Sequence, residues 1–295
     1  MTKEQKTSRG IVFMLLATVF FAITWVAIKA IGTGLPVFEV MFFRSFFSLL
    51  IFIPLTKFKT GSLQAKQNPL LILRSLISVF SMFLIYQAVR TIELGNVSAL
   101  MNVMPVWVAV LSPLMLGETF YKQNFGLILL SLLGVCFVLK PDENILQNSA
   151  LLPLAAGLFA AVSMVLVRKL TKNKSYTIAL HFTVMAALIT APLCFANFIW
   201  PSLFQWSMLG IMGISVTVSQ TLSTKAYKCA DAAIIAPFGY ANVVECYLLG
   251  MIFWQERYDT WSLIGAAIII FAGIFIMQKS KKPHLVPSTS TAIKT

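Results

Sequence analysis

Charge is what this chain has least of. Only 11% of its 295 residues are Asp, Glu, Lys or Arg, where a soluble domain carries about a quarter. So little charge excludes a large soluble domain. Acidic residues are the scarcer sign: 10 Asp and Glu against 23 Lys and Arg give a formal net charge of +13. No basic helix or aromatic-basic module accompanies that excess, which excludes a nucleic-acid binder. The four cysteines, Cys136, Cys194, Cys229 and Cys246, lie in or beside apolar blocks without metal-ligand spacing. They read as free packing thiols, and no metal site is expected. There is no HExxH, no aspartate pair, no Gly-x-Ser-x-Gly and no phosphate loop. An enzyme, a cofactor and a nucleotide-driven motor are therefore not expected.

What is abundant is apolar sequence, 58% of the chain, gathered into blocks separated by short polar breaks. The blocks run over 11–31, 37–55, 70–89, 95–116, 123–139, 150–167, 176–199, 206–227, 231–253 and 260–277. Each approaches the roughly 20 residues with which an α-helix crosses a bilayer. Continuous rather than alternating apolarity, and the impossibility of satisfying a lone strand's backbone in lipid, exclude strands. The fold expected is an all-α integral membrane protein of ten transmembrane helices. The first block follows Lys3, Lys6 and Arg9 but is too long for a signal peptide and lacks a cleavage site, so it reads as a retained span.

Basic residues set the orientation. With the N-terminus inside, the cytoplasmic side collects Lys3, Lys6, Arg9, Lys57, Lys59, Lys66, Arg74, Lys122, the cluster 168–174, Lys225, Lys228 and the tail lysines. The outer side keeps Lys29, Arg90, Lys140 and Arg257. Both termini are thus expected in the cytoplasm of a multi-pass plasma (bacterial inner) membrane protein. The polar tail 279–295 has no apolar period and is expected to be disordered.

The halves repeat. "ATVFFAITWVAIKAI" (17–31) aligns with residues 156–170 of "AAGLFAAVSMVLVRKL" (155–170), with Phe20 on Phe159 and Lys29 on Arg168. "LGETFYKQNFG" (116–126) aligns with "WQERYDTWSLIG" (254–265), with Glu118 on Glu256. Repeats with an odd number of spans must be inverted, the architecture of many secondary transporters. The organisation expected is an N-terminal segment 1–9, a first repeat 10–140, an outer linker 141–149, a second repeat 150–278 and the tail.

At "YQAVRTIELGNVSALMNVMPVWVAVLSPLMLGE" (86–118) and "APFGYANVVECYLLGMIFWQE" (236–256) the sequence resembles the drug/metabolite transporter superfamily, in its EamA-like ten-helix form. The resemblance covers roughly residues 10–278. "PVFEVMFFRSFFSLLIFIP" (36–54) is similar to the branch containing S-adenosylmethionine uptake carriers. The Trp-Gly pair common in the family's first helix is Phe21-Ala22 here, so no role is carried over from it. The resemblance implies transport of a small polar or amphipathic metabolite. S-adenosylmethionine-like and amino-acid-like compounds, riboflavin-like vitamins and efflux cargoes all fit it.

Ionisable groups inside a bilayer need a cavity, a partner or a function. Arg44 and Glu245 sit eight or nine residues from the outer ends of their helices, roughly 12 Å down at 1.5 Å per residue. Either they face a cavity and meet a substrate or a coupling proton, or they form a structural ion pair; a basic residue at the Arg44 position recurs in carriers of unlike substrates, which favours structure there. Lys29 and Glu39, joined by a short turn, read as a salt bridge or as an outer gate. Pro105 and Pro237 interrupt helices at corresponding places, and such breaks either line a substrate site or are packing kinks. Trp25, Tyr86, Gln87, Asn102, Gln220, Tyr240 and Asn242 complete the candidate binding set, with ordinary interhelical hydrogen bonds as the competing reading. Glu118 and Glu256 read as structural residues at the starts of the helices that follow them, and His181 as a packing histidine. The partners expected are a metabolite, membrane lipid, a coupling proton or exchanged metabolite, and a second copy of the chain as a homodimer. A channel is the first rival reading, but no ring of like charge or filter loop supports it.

Overall fold

A computed structural model describes residues 3–57, 68–117, 125–139, 151–170, 175–229 and 235–279. Among these, eleven α-helices and one short 3₁₀ segment carry the chain. They are α1 (Lys3–Ile31), α2 (Val37–Lys57), α3 (Asn68–Thr91), α4 (Leu94–Met101), α5 (Met104–Leu116), α6 (Phe125–Leu139), α7 (Leu151–Lys169), α8 (Ser175–Ala196) and α9 (Leu203–Cys229). The 3₁₀ segment Ala236–Tyr240 then leads into α10 (Ala241–Trp254), and α11 (Thr260–Lys279) closes the bundle.

The segments Glu4–Ile31, Pro69–Thr91, Leu94–Leu116 and Thr177–Ala196 are long and apolar enough to cross a membrane. Phe125–Val138, Leu151–Val167, Phe238–Trp254 and Thr260–Ile276 are apolar but shorter. The outer surface carries large apolar side chains such as Leu114, Trp200, Leu203 and Ile252, each more than two-thirds exposed. Water would penalise such a surface and lipid does not. Inside the helices, hydroxyls fold back on their own backbone: Thr24, Ser45, Thr183, Thr190 and Thr217 each donate to the carbonyl four residues earlier. Each thus carries its own acceptor into an apolar setting.

The block expected as one helix over 95–116 is two, α4 and α5, joined by the turn Asn102–Val103. Pro105 at the start of α5 has no N–H to give the Met101 carbonyl, so the helix parts there. In 231–253 the described part begins as a 3₁₀ turn with Pro237 near its start and becomes α-helical only at Ala241. The two breaks meet, the Tyr240 hydroxyl lying 3.4 Å from the Asn102 carbonyl it donates to.

Packing pairs α1 with α9, α3 with α7, α6 with α11, α2 with α8, and α4 with α10. The main core lies among α1, α2, α3 and α9, with Ile28, Met41, Leu209 and Met212 fully enclosed. Helix α6 crosses α11 closely: a Cβ on Gly134 would lie 2.8 Å from the Gly265 carbonyl oxygen, and one on Gly265 2.6 Å from that of Gly134. Only glycine permits that approach. Of the tail expected to be disordered over 279–295, Lys279 ends the last helix, and the rest, like the linker expected over 141–149, lies outside the described residues.

Candidate functional site

A cavity of about 340 Å³ opens between α1, α3, α7, α8 and α9, with α2 and the α4–α5 break contributing. Its volume falls in the range of small-molecule sites. On α3 the lining residues are Arg74, Ser78, Ser81, Met82, Ile85 and Tyr86, the i, i+4, i+7, i+8 sequence of one helix face. α1 gives Phe21, Thr24 and Trp25; α2 gives Arg44; α8 gives Phe182; α9 gives Val216 and Gln220; α7 gives Ala160, Ser163 and Met164; Met101 and Met104 flank the break.

Four of the predicted binding residues therefore meet in one cavity: Trp25, Arg44, Tyr86 and Gln220. The other five do not line it. Gln87 follows Tyr86 by one position, which turns it about 100° off the cavity face of α3. Asn102 donates from its side chain to the Ser98 carbonyl at 2.8 Å. Asn242 accepts from the Ser98 hydroxyl at 3.0 Å and donates to the Thr18 carbonyl at 3.3 Å, clipping α1, α4 and α10 together. Tyr240 is spent on Asn102. Glu245 accepts from the Thr18 hydroxyl at 3.0 Å, while its second oxygen is buried without a partner. Pro105 is also absent from the lining, and the Met101 carbonyl it frees rests against α7, where a Cβ on Gly157 would come within 3.3 Å.

Neither of the two ion pairs weighed from the sequence forms. Arg44 and Glu245 form no ion pair: Arg44 turns to the Met82 sulfur at 3.2 Å and to the Phe182 ring, and Glu245 turns to Thr18. Nor does Lys29 pair with Glu39. Its ammonium pairs with Glu256, donates to the Ile92 carbonyl at 2.7 Å and lies over the Trp254 ring. Glu39, fully buried, accepts instead from the Ile199 amide at 3.1 Å. Sequence proximity favoured the α1–α2 pair, but the packing of α10 on α1 brings a better-placed carboxylate from far along the chain.

Glu256 was expected at the start of its own following helix. It accepts instead from the Leu94 amide at 3.0 Å, the first residue of α4, and from the Tyr258 hydroxyl. The Gly95 amide donates to that same hydroxyl at 3.2 Å. Burial, reinforced by the bond to Glu256, pushes the Tyr258 phenol above its ordinary range, so it remains a neutral donor. Glu118 lies outside the described residues. His181 is held by the Ser75 hydroxyl, 3.0 Å from Nδ1, as a packing histidine would be.

Sequence reasoning missed Arg74, Ser78, Ser81, Ser163 and Phe182. Arg74 was counted among the cytoplasmic charges, although the spacing Arg74, Ser78, Ser81 already marks a polar face on α3.

The model of the EamA-like transporter family matches residues 8–140 and again 147–278. The chain belongs to the EamA-like transporter family. It is accordingly a multi-pass membrane protein that transports small molecules, and not an enzyme. It is 27% identical over 275 residues to the pseudopaline exporter CntI of Pseudomonas aeruginosa, covering 92% of this chain and 97% of the exporter. It is 26% identical over 275 residues to the S-adenosylmethionine uptake transporter of Rickettsia prowazekii, covering 92% of this chain and 94% of that one. A solved crystal structure of 16% identity superposes with a TM-score of 0.66 over 95% of this chain and 99% of its own, a likeness of fold. Kinship to the branch containing S-adenosylmethionine carriers thus accompanies membership of the drug/metabolite transporter superfamily.

Proposed function

We propose that this EamA-like protein is a secondary active transporter moving a small polar or amphipathic metabolite across the bacterial inner membrane by alternating access. Ten spans in two inverted halves, 10–140 and 150–278, with both termini cytoplasmic, are part of the same reading. The observation that carries it is the cavity: polar groups on an apolar wall, set well inside the bundle, with the Lys29–Glu256 cluster one turn beyond Trp25 at the C-terminal end of α1.

Four features support two exchangeable halves. The family model matches each half separately. Exchanging corresponding helices turns the α1–α9 contact into α7–α3 and the α2–α9 contact into α8–α3, and all four are made. The helix breaks fall at Asn102–Val103 and Tyr240–Ala241. Helices α5 and α10 also end alike, on left-handed residues Gly117 (φ 68°) and Gln255 (φ 53°). Halves that pack alike can trade conformations, which is the basis of alternating access.

In this reading Lys29, Glu256 and the Ile92 carbonyl, together with Glu39 on Ile199, close the outer side, and the cavity is served from the cytoplasmic side. Glu39 and Lys29 remain gate residues, each with a partner other than the other. Glu245 is the proposed proton carrier, because one carboxylate oxygen is buried and unpartnered. Cargo of the S-adenosylmethionine or amino-acid class is compatible with the relatives. One of them is named an exporter and another an uptake transporter at similar identity, which supports a shared scaffold whose direction depends on coupling.

The test is counterflow in proteoliposomes containing the full-length protein. Accelerated exchange of a labelled metabolite is expected, with Glu245→Gln removing its dependence on the proton gradient while exchange at equal pH persists. A broad metabolite screen giving no flux in either direction would sink the carrier reading.

A further inference from the structure

The cavity contains two arginines and no counter-charge. Arg44 is 6% exposed; its Nη1 meets only the weak sulfur acceptor of Met82, and its Nε has no partner. Arg74 leaves Nε and Nη1 buried without partners. Both guanidinium carbons stand over the ring of Phe182, 5.7 and 5.3 Å from its centroid, so their separation is at most the sum of the two, about 11 Å. None of the residues lining the cavity is acidic. Among the described residues, the two buried carboxylate oxygens left without a partner, on Glu39 and Glu245, belong to side chains that do not line it and that accept from the Ile199 amide and the Thr18 hydroxyl.

Two like charges in a low-dielectric pocket repel, and each also loses its hydration. A ring face offsets part of that loss, but the unused N–H groups of a guanidinium call for oxygen acceptors. Elsewhere in the bundle Asn242 and Lys29 are satisfied by the protein itself, and the buried polar atoms left over, on Glu39, Arg90, Trp107, Ser131 and Glu245, belong to side chains that do not line the cavity. In the cavity, two cations with unused donors line one space, where a ligand can complete the set. The neighbouring hydroxyls of Ser78 and Ser163, 2.6 Å apart, add further polar atoms on the same wall.

We infer that the cavity takes an anionic metabolite, its carboxylate or phosphate oxygens bound by Arg44 and Arg74 and its apolar part set against Trp25 and Phe182. This rests on the carrier reading above and narrows its substrate class. Guanidinium forks match planar or tetrahedral oxyanions, and two of them favour a dianion or a molecule with two separated acidic groups. A cargo whose net charge is positive would bring a third cation beside the two already there.

The experiment measures thermal unfolding of purified full-length protein in detergent at constant ionic strength. The probes are succinate, citrate and inorganic phosphate, against chloride and neutral succinamide. At least one oxyanion is expected to raise the melting temperature in a saturable way, and the two controls are not. Arg44→Gln and Arg74→Gln should each weaken that response by about tenfold or more, the scale of a lost charge-assisted hydrogen bond. Arg90→Gln, which alters a guanidinium bonded to the Leu35 carbonyl, should leave it unchanged. Arg44→Lys and Arg74→Lys retain the charge and serve where the glutamine variants do not fold; a weakened but surviving oxyanion response is expected from them. A wild-type protein with no oxyanion-specific shift overturns the inference, as does a response that survives both glutamine changes. In proteoliposomes, exchange of neutral or cationic metabolites untouched by the oxyanions overturns this inference and leaves the carrier standing. Oxyanion binding without flux of any compound removes the carrier reading and leaves the anion site.

Discussion

Glu256 takes bonds from the Leu94 amide and the Tyr258 hydroxyl and pairs with Lys29, so one carboxylate ties together the ends of α1, α4 and α10. Both members of the pair are well buried, with side chains 13% and 7% exposed for Lys29 and Glu256. Truncating one side of such a pair leaves the other charge poorly solvated. Glu256→Gln keeps an acceptor for Leu94 but loses the ion pair, and should lower stability by about 2 kcal/mol, read from thermal unfolding in detergent. Lys29→Met should cost less, because the cation leaves with its partner's hydrogen bonds to Leu94 and Tyr258 intact. Equal stability of wild type and Glu256→Gln would mean that the cluster holds nothing closed. At this scale the sequence was half legible. An intramembrane Arg44 or Lys29 stands out in an apolar block, but the partner of each was decided by which helices pack together.

Among the elements, two positions test how local geometry was achieved. Gln255 ends α10 with a left-handed backbone that costs a non-glycine residue roughly 1–2 kcal/mol. Gly117, at the matching end of α5, adopts it freely. Gln255→Gly should therefore stabilise the protein by about 0.5–1 kcal/mol, after allowing for the added entropy of the unfolded chain; a fall in melting temperature would contradict this. Gly265 is the opposite case. With the Gly134 carbonyl 2.6 Å from where its Cβ would stand, Gly265→Val should force α6 and α11 apart and lower stability by about 1–3 kcal/mol or more. The helices themselves were legible from apolar blocks, because lipid leaves the backbone no other way to satisfy itself. The break at Asn102–Val103 was signalled by Pro105 alone. The meeting of that break with Tyr240 was not, since it joins residues 138 positions apart in sequence.

For the whole molecule, the proposed topology makes a direct prediction. In a cysteine-free background, Glu93→Cys and Ser202→Cys, both on exposed sites near the Lys29 end of the bundle, should react with a membrane-impermeant maleimide from outside intact cells. Lys225→Cys, exposed near the end of α9, should react only after the membrane is opened. Reaction of all three from one side would refute the two-sided arrangement. Composition was enough to indicate a multi-helix membrane protein, because burying so much apolar surface among so few charges has no soluble solution. The repeated motifs at 17–31 and 156–170 and at 116–126 and 254–265 were enough to suggest two related halves, and the stretches 86–118 and 236–256 carried the family resemblance and with it the transporter reading. What only the tertiary structure decided is which polar groups are used up and which are left over. The Asn102 side chain is taken up by the Ser98 carbonyl four residues earlier, and Tyr240, Asn242 and Glu245 find partners on neighbouring helices, so none of the four lines the cavity. Arg74, which the sequence offered as one more cytoplasmic charge, joins Arg44 over Phe182 with two nitrogens unbonded. The reason is geometric: a hydrogen-bond partner is a matter of a few ångströms across a helix interface, and no pattern within one helix specifies what lies on the other side.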